Sequence, residues 1–145
     1  MVRNGEKWYD RGMKLFLGEF DYTLDDRGRV TLPRKIRLEL DEQNVILSRG
    51  FDACVFGFDK TSWEKEATKH LEAPVTDEKG RKLRRYLFAA AEKVEIDKLG
   101  RILVPTHLKE YAGITGAVRI IGAGDHFEIW DTALWSKYAS HLDET

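Results

Sequence analysis

LDDRGRVTLP, residues 24–33, sets two acids and two arginines around one glycine and then runs through β-branched and apolar residues to a proline. The pattern returns as IDKLGRILVP at residues 96–105. Asp25 and Asp97, Arg29 and Arg101, Pro33 and Pro105, Gly50 and Gly122, Asp59 and Asp131, and Trp63 and Trp135 are all separated by 72 residues. Apolar character is kept between these identities, Leu24 with Ile96, Val30 with Ile102, Leu32 with Val104 and Ile36 with Leu108. One ungapped offset thus aligns roughly residues 20–63 with 92–135, the mark of two copies of one supersecondary unit.

Each copy reads the same way. A short strand, FDYTL or KVEI, enters a charged turn, and Gly28 or Gly100 allows the positive φ that a hairpin tip needs. A second strand, RVTLP or RILVP, ends at a proline, which suits the first turn of a short helix. Two more strands follow, NVILSRG with ACVFGF and AVRIIGA with HFEIW. Asp59 and Asp131 then stand where a helix N-cap belongs, each four residues before a tryptophan expected in the core.

Between the copies, Thr76 can cap a helix, Asp77 and Glu78 favour its N-terminus, and Leu83, Leu87 and Ala90 fall on one stripe. Its cations Lys79, Arg81, Lys82, Arg84 and Arg85 suit a solvated face, a subunit contact or a secondary phosphate contact. The expected organisation is an N-terminal extension over 1–15, a first repeat over 16–73, a helical connector over 74–90, a second repeat over 91–142 and a tail over 143–145. The extension mixes charges with Trp8, Tyr9 and Met13 without a steady period, so it is either ordered by packing on a partner or frayed.

The chain is 145 residues long, 42% hydrophobic and 34% charged, the composition of one soluble domain or of two halves sharing a core. No apolar run approaches the ~18–20 residues of a membrane helix, and the N-terminus has no apolar segment of signal-peptide length, which speaks against export. The single cysteine, Cys54, excludes an internal disulfide and suits a reducing cytoplasm. Net charge is −1, so any nucleic-acid affinity must come from a local patch.

His70, His107, His126 and His141 lack metal-ligand spacing. GAGD, residues 122–125, reads as a hairpin turn rather than a dinucleotide loop. Asp21, Asp25 and Asp26 cluster, but neighbouring arginines would hold them ionised, which is poor preparation for a general acid. No metal, cofactor or catalytic centre is expected.

Asp25, Gly28 and Arg29, like Asp97, Gly100 and Arg101, occur in both copies, and so belong to the fold as a turn-closing staple. The differences carry the functional signal. The first copy has Arg27, Arg34 and Lys35 where the second has Leu99, Thr106 and His107. Arg27, Arg29, Thr31, Arg34, Lys35 and Arg37 are therefore the candidate DNA-binding set, able to track phosphates or reach guanine edges from a two-stranded ribbon. The alternatives are a merely solvated basic face, or an oligomeric scaffold whose patch binds acidic protein or RNA.

FLGEFDYTLDDRGRVTLPRKIR resembles the start of the MraZ family of bacterial transcriptional regulators; the second D-x-x-G-R, RRYLFAAA and FEIWD resemble the same family, over nearly all of residues 16–140. The resemblance implies an α+β fold of duplicated AbrB-like swapped-hairpin units (a double-split β-barrel) in a ring-shaped homo-oligomer. It also implies a nucleoid-associated cytoplasmic repressor that binds double-stranded DNA at promoter direct repeats upstream of the cell-division and cell-wall gene cluster. The family usually has lysine where Arg27 stands; the exchange keeps the charge but changes donor geometry.

Overall fold

The computed structural model describes residues 14–144. The expected extension therefore falls outside the described residues except for Lys14 and Leu15; Lys14 pairs with Asp41 and lies 3.3 Å from Asp59. The elements are β1 (Glu19–Thr23), β2 (Arg29–Thr31), α1 (Arg34–Arg37), β3 (Asn44–Arg49), β4 (Val55–Phe58), α2 (Lys60–Leu71), α3 (Glu78–Phe88), β5 (Glu92–Glu95), β6 (Arg101–Leu103), α4 (Thr106–Ala112), β7 (Ala117–Gly122), β8 (Phe127–Asp131) and α5 (Thr132–Ala139). Every element but α3 has a counterpart in the other copy.

The tips form as expected, but the hairpins do not. At the first tip the Asp25 N–H donates to Arg29 O (2.8 Å) and the Gly28 N–H to Asp25 O (3.0 Å), with Gly28 at φ 82°. The two arms then part. β1 pairs antiparallel with β7 of the second copy, Phe20 opposite Ile120, and β5 pairs with β3 of the first, Val94 opposite Val45. β2 pairs only with β6, with Val30 opposite Ile102.

The result is a six-stranded sheet in the order β1-β7-β8-β4-β3-β5 and a separate two-stranded ribbon, β2-β6. The physical reason is burial. A lone two-stranded hairpin is marginal in water. Exchange between copies instead gives every first strand a partner already fixed in a sheet, and lays the apolar side of the ribbon over it. The sheet does not close: β1 and β5 remain at its edges, so the barrel expectation is replaced by an open sheet covered by a ribbon.

Alternation within the strands builds the core. Val45 and Leu47, Val118 and Ile120, and Phe127 and Ile129 turn inward and meet Val30, Leu32, Ile102 and Val104 with Ile36 and Leu108 from the helices, all nearly inaccessible to solvent. Burying each such side chain is worth roughly 1.5–3 kcal/mol. Where β4 meets β8, Gly57 faces Phe127; a Cβ at position 57 would collide with that ring, so a glycine is required there.

The caps follow the sequence signals. Asp59 accepts from the Ser62 N–H (2.9 Å) and Asp131 from the Leu134 N–H (3.3 Å). The α3 cap is Asp77, which accepts from the Gly80 N–H at 3.0 Å, rather than Thr76. Trp135 is buried against Trp130, whereas its counterpart Trp63 is half-buried between Phe58 and Phe88. The GAGD segment turns β7 into β8, with the Ala123 N–H bonded to His126 O (2.9 Å).

Because each half lends its first strand to the other, neither half holds a complete sheet. Cleaving the chain between α2 and α3 and purifying the halves separately should give fragments with no cooperative thermal transition. Mixing them should restore one, as followed by circular dichroism. A single half that melts cooperatively as a monomer would refute the exchanged pairing.

Candidate nucleic-acid interface

Each tip is closed by its aspartate. Asp25 Oδ1 accepts from the backbone N–H groups of Arg27 (3.0 Å) and Arg29 (2.8 Å), and Oδ2 from Arg29 Nε (2.8 Å). Asp97 repeats the arrangement with Leu99 N (2.9 Å), Arg101 N (2.9 Å) and Arg101 Nε (2.8 Å). The Arg29 backbone N–H, with lesser help from its guanidinium, holds the Asp25 carboxyl below the usual aspartate range, and Arg101 does the same for Asp97. The pairing uses Nε and the arginine's own amide rather than the two-pronged end of the guanidinium. Among the described residues the terminal nitrogens of Arg29 and Arg101 have no protein hydrogen bond, so they can face a ligand while the staple stays closed.

The ribbon alternates. Val30 and Ile102 point into the core, while Arg29, Thr31, Arg101 and Leu103 stand on the outer side, Arg29 opposite Leu103 and Thr31 opposite Arg101. Arg27 is exposed at the first tip, and Arg34 and Lys35 are exposed on α1.

The candidate residues do not form one patch around the first tip. Where β2 ends, the Leu32 N–H donates to Gly100 O (2.9 Å), so the chain enters α1 beside the second tip. Arg37 Nε donates to Leu32 O (3.0 Å), and its guanidinium lies 2.9 Å from where a Cβ on Gly100 would stand. Arg34 and Arg37 line a surface cavity of about 350 Å³ with Leu40, Gln43 and Ile96, the last directly preceding Asp97. Reciprocally, the Val104 N–H donates to Gly28 O (3.0 Å), and α4 brings Lys109 across the first tip. The structure thus sets Lys109 against Gly28 of the tip that carries Arg27 and Arg29, and Arg37 against Gly100 of the second tip, with Arg34 beside Arg37 in the cavity.

Lys109 follows the second tip in the chain, and only the long-range crossing carries its helix to the first. The signal was present: Lys109 stands 72 residues after Arg37. The same exchange evens out the charge contrast between the tips, as does Lys98, which occupies the position of Asp26 in the second copy.

Asp21 pairs with Arg119 on β7 while Asp25 pairs with Arg29, so the aspartate cluster does not converge. Among the described residues, no three His, Cys, Asp or Glu side chains are placed to hold a metal ion. Cys54 is buried, and burial pushes its thiol far above the ordinary range. No described helix is long and apolar enough to cross a membrane.

The sequence profile of the antitoxin-like MraZ protein family matches this chain twice, over residues 15–86 and 87–145. The chain is 40% identical over 129 residues to the transcriptional regulator MraZ of Roseiflexus sp. (strain RS-1), an alignment covering 89% of this chain and 90% of that protein. The corresponding regulator of Roseiflexus castenholzii (strain DSM 13941 / HLO8) matches to the same extent.

The staples have a pH signature. Both aspartates have folded-state pKa values below their unfolded ones, so their contribution is complete above the unfolded value, about 3.9, and is lost as pH falls through the folded values. The melting temperature should therefore fall below about pH 4. The double variant Asp25→Asn, Asp97→Asn should melt lower at neutral pH and show a shallower acid slope. Identical pH profiles for variant and wild type would remove the staples from the stability of the fold.

Proposed function

The chain belongs to the MraZ family, and from that premise we propose that it is a transcriptional regulator that binds double-stranded DNA through the β2–β6 ribbon and its two tips. The observation that carries this reading is the outer side of the ribbon. A two-stranded ribbon fits the ~12 Å major groove, and arginine can bond bidentately to guanine O6 and N7 there. Arg29 and Arg101 are pre-ordered by Asp25 and Asp97, which lowers the side-chain entropy lost on contact. Arg27, Arg34 and Lys35, exposed and without ion pairs among the described residues, supply phosphate contacts.

The operator in this reading is a set of direct repeats upstream of the cell-division and cell-wall gene cluster. The protein acts there as a repressor within the nucleoid, in a ring-shaped homo-oligomer. A chain whose 24 Lys and Arg are balanced by 25 Asp and Glu offers only a small basic patch per copy, and several linked copies meeting successive repeats convert weak contacts into avidity. Repeats spaced near one helical turn, about 10 bp, would present one face of the duplex to the ring.

In a gel shift, repeat-containing DNA from upstream of the protein's own gene should bind in preference to its scrambled version. Affinity should fall steeply as salt rises towards physiological strength, with a slope of about −0.9 per phosphate contacted. Equal binding of both duplexes with a flat salt response would instead favour a scaffold that binds acidic protein or RNA. Arg27→Ala should weaken binding to operator and scrambled DNA alike, make the salt slope shallower by about 1, and leave the oligomer intact in light scattering. Loss of the oligomer would reassign Arg27 to assembly.

A further inference from the structure

We propose that Lys109 is a DNA-phosphate contact of the first tip, delivered there by the second half of the chain, so that the first tip is a complete binding element only when both halves contribute. This rests on the DNA-binding reading above and adds to it a residue outside the basic run of the first copy.

Three observations carry the assignment. Lys109 lies across Gly28: a Cβ on that glycine would stand 2.9 Å from Nζ, 3.5 Å from Cε and 3.7 Å from Cδ. The ammonium is thus set against the turn between Asp25 and Arg29, next to Arg27. Second, it forms no ion pair among the described residues, although exposed carboxylates are common on this surface. A lysine loses substantial rotamer freedom when its stem is laid along a backbone. Here that ordering places an uncompensated cation at a tip rather than closing an internal salt bridge.

Third, the arrangement occurs twice. Arg37, the counterpart of Lys109 in the first copy, lies over Gly100 at the second tip. In both cases a helix from one half sets a cation on the glycine of the other half's tip. Both glycines have positive φ, which favours glycine there, and the bare backbone leaves room for the end of the cation to lie against it. At the first tip Asp25 is taken up by Arg29, and Lys109 joins Arg27 beside the exposed Asp26, so Lys109 tips the local balance to positive, the sign that suits a phosphate backbone.

The test uses the full-length chain and a duplex carrying the region upstream of its own gene, with binding measured by fluorescence anisotropy across a salt series. Lys109→Met keeps the stem over Gly28 and removes the charge, so its melting temperature should match wild type. Its affinity should fall about three- to tenfold, and its log–log salt slope should be shallower by about 0.9, one phosphate contact. Lys109→Arg should restore both. If wild type binds but Lys109→Met binds as tightly with the same slope, the assignment is overturned while the DNA-binding reading stands. If wild type itself does not bind, that reading fails and the assignment falls with it. Acetylation of wild type followed by mass spectrometry gives an answer independent of any variant's folding: Lys109 should be protected in the complex, and equal labelling with and without duplex would overturn the assignment.

Discussion

The rest of the structure depends on three residue pairs. Val30 sits opposite Ile102 at the centre of the β2–β6 ladder, and on either side a tip glycine from one half accepts a hydrogen bond from the strand end of the other. This short ribbon is all that joins the second strands, yet it fixes where both chains go next. Leu32 and Val104, held by Gly100 and Gly28, direct α1 and α4 to opposite tips. The first strands meanwhile complete the sheet on the far side, β1 against β7 and β5 against β3. Covering one side of the ribbon with the sheet leaves its other side, with Arg29 and Arg101, facing outward. Burial on the inner side and display on the outer one are consequences of the same two-residue period.

Exchange also determines the electrostatics. Within the sequence the cations of the first copy form a run, and the second copy lacks most of them. In the folded chain they are dealt out to both tips, and each tip receives a helix-borne cation from the opposite half. A charge contrast that looks like a functional half and an inert half becomes two related surfaces that differ in detail, with Arg27 at one tip and Leu99 at the other. Leu99 and Leu103 are both strongly exposed, so the second tip offers apolar as well as cationic contacts.

What was legible in the sequence was local. Apart from the duplication, read from the 72-residue offset, the eight strands, the aspartate caps of α2 and α5, the positive φ of Gly28 and Gly100, and the pairing of Asp25 with Arg29 all depend on residues a few positions apart. The partners of the first strands were not legible. Alternation in FDYTL and KVEI says which side is buried but not which neighbour buries it, and a glycine tip implies a hairpin whether or not its arms pair. The candidate site inherited that gap. Arg27 and Arg29 stand where the turn puts them, whereas the places of Arg34, Arg37 and Lys109 depend on the long-range crossing.

The contact between β4 and β8 has a bearing on how the two halves choose each other. Gly57 faces Phe127, and Val55 faces Ile129. The offset of 72 makes Val55 the counterpart of Phe127, and Gly57 that of Ile129. Two first halves docked together would set Val55 against Gly57 twice and leave a void. Two second halves would crowd Phe127 against Ile129 twice. Both errors are destabilising in packed interiors. The halves are thus a lock and its key rather than two copies of one part. That steric code steers each half to a partner of the opposite kind, and the tether makes its own chain the nearest supplier.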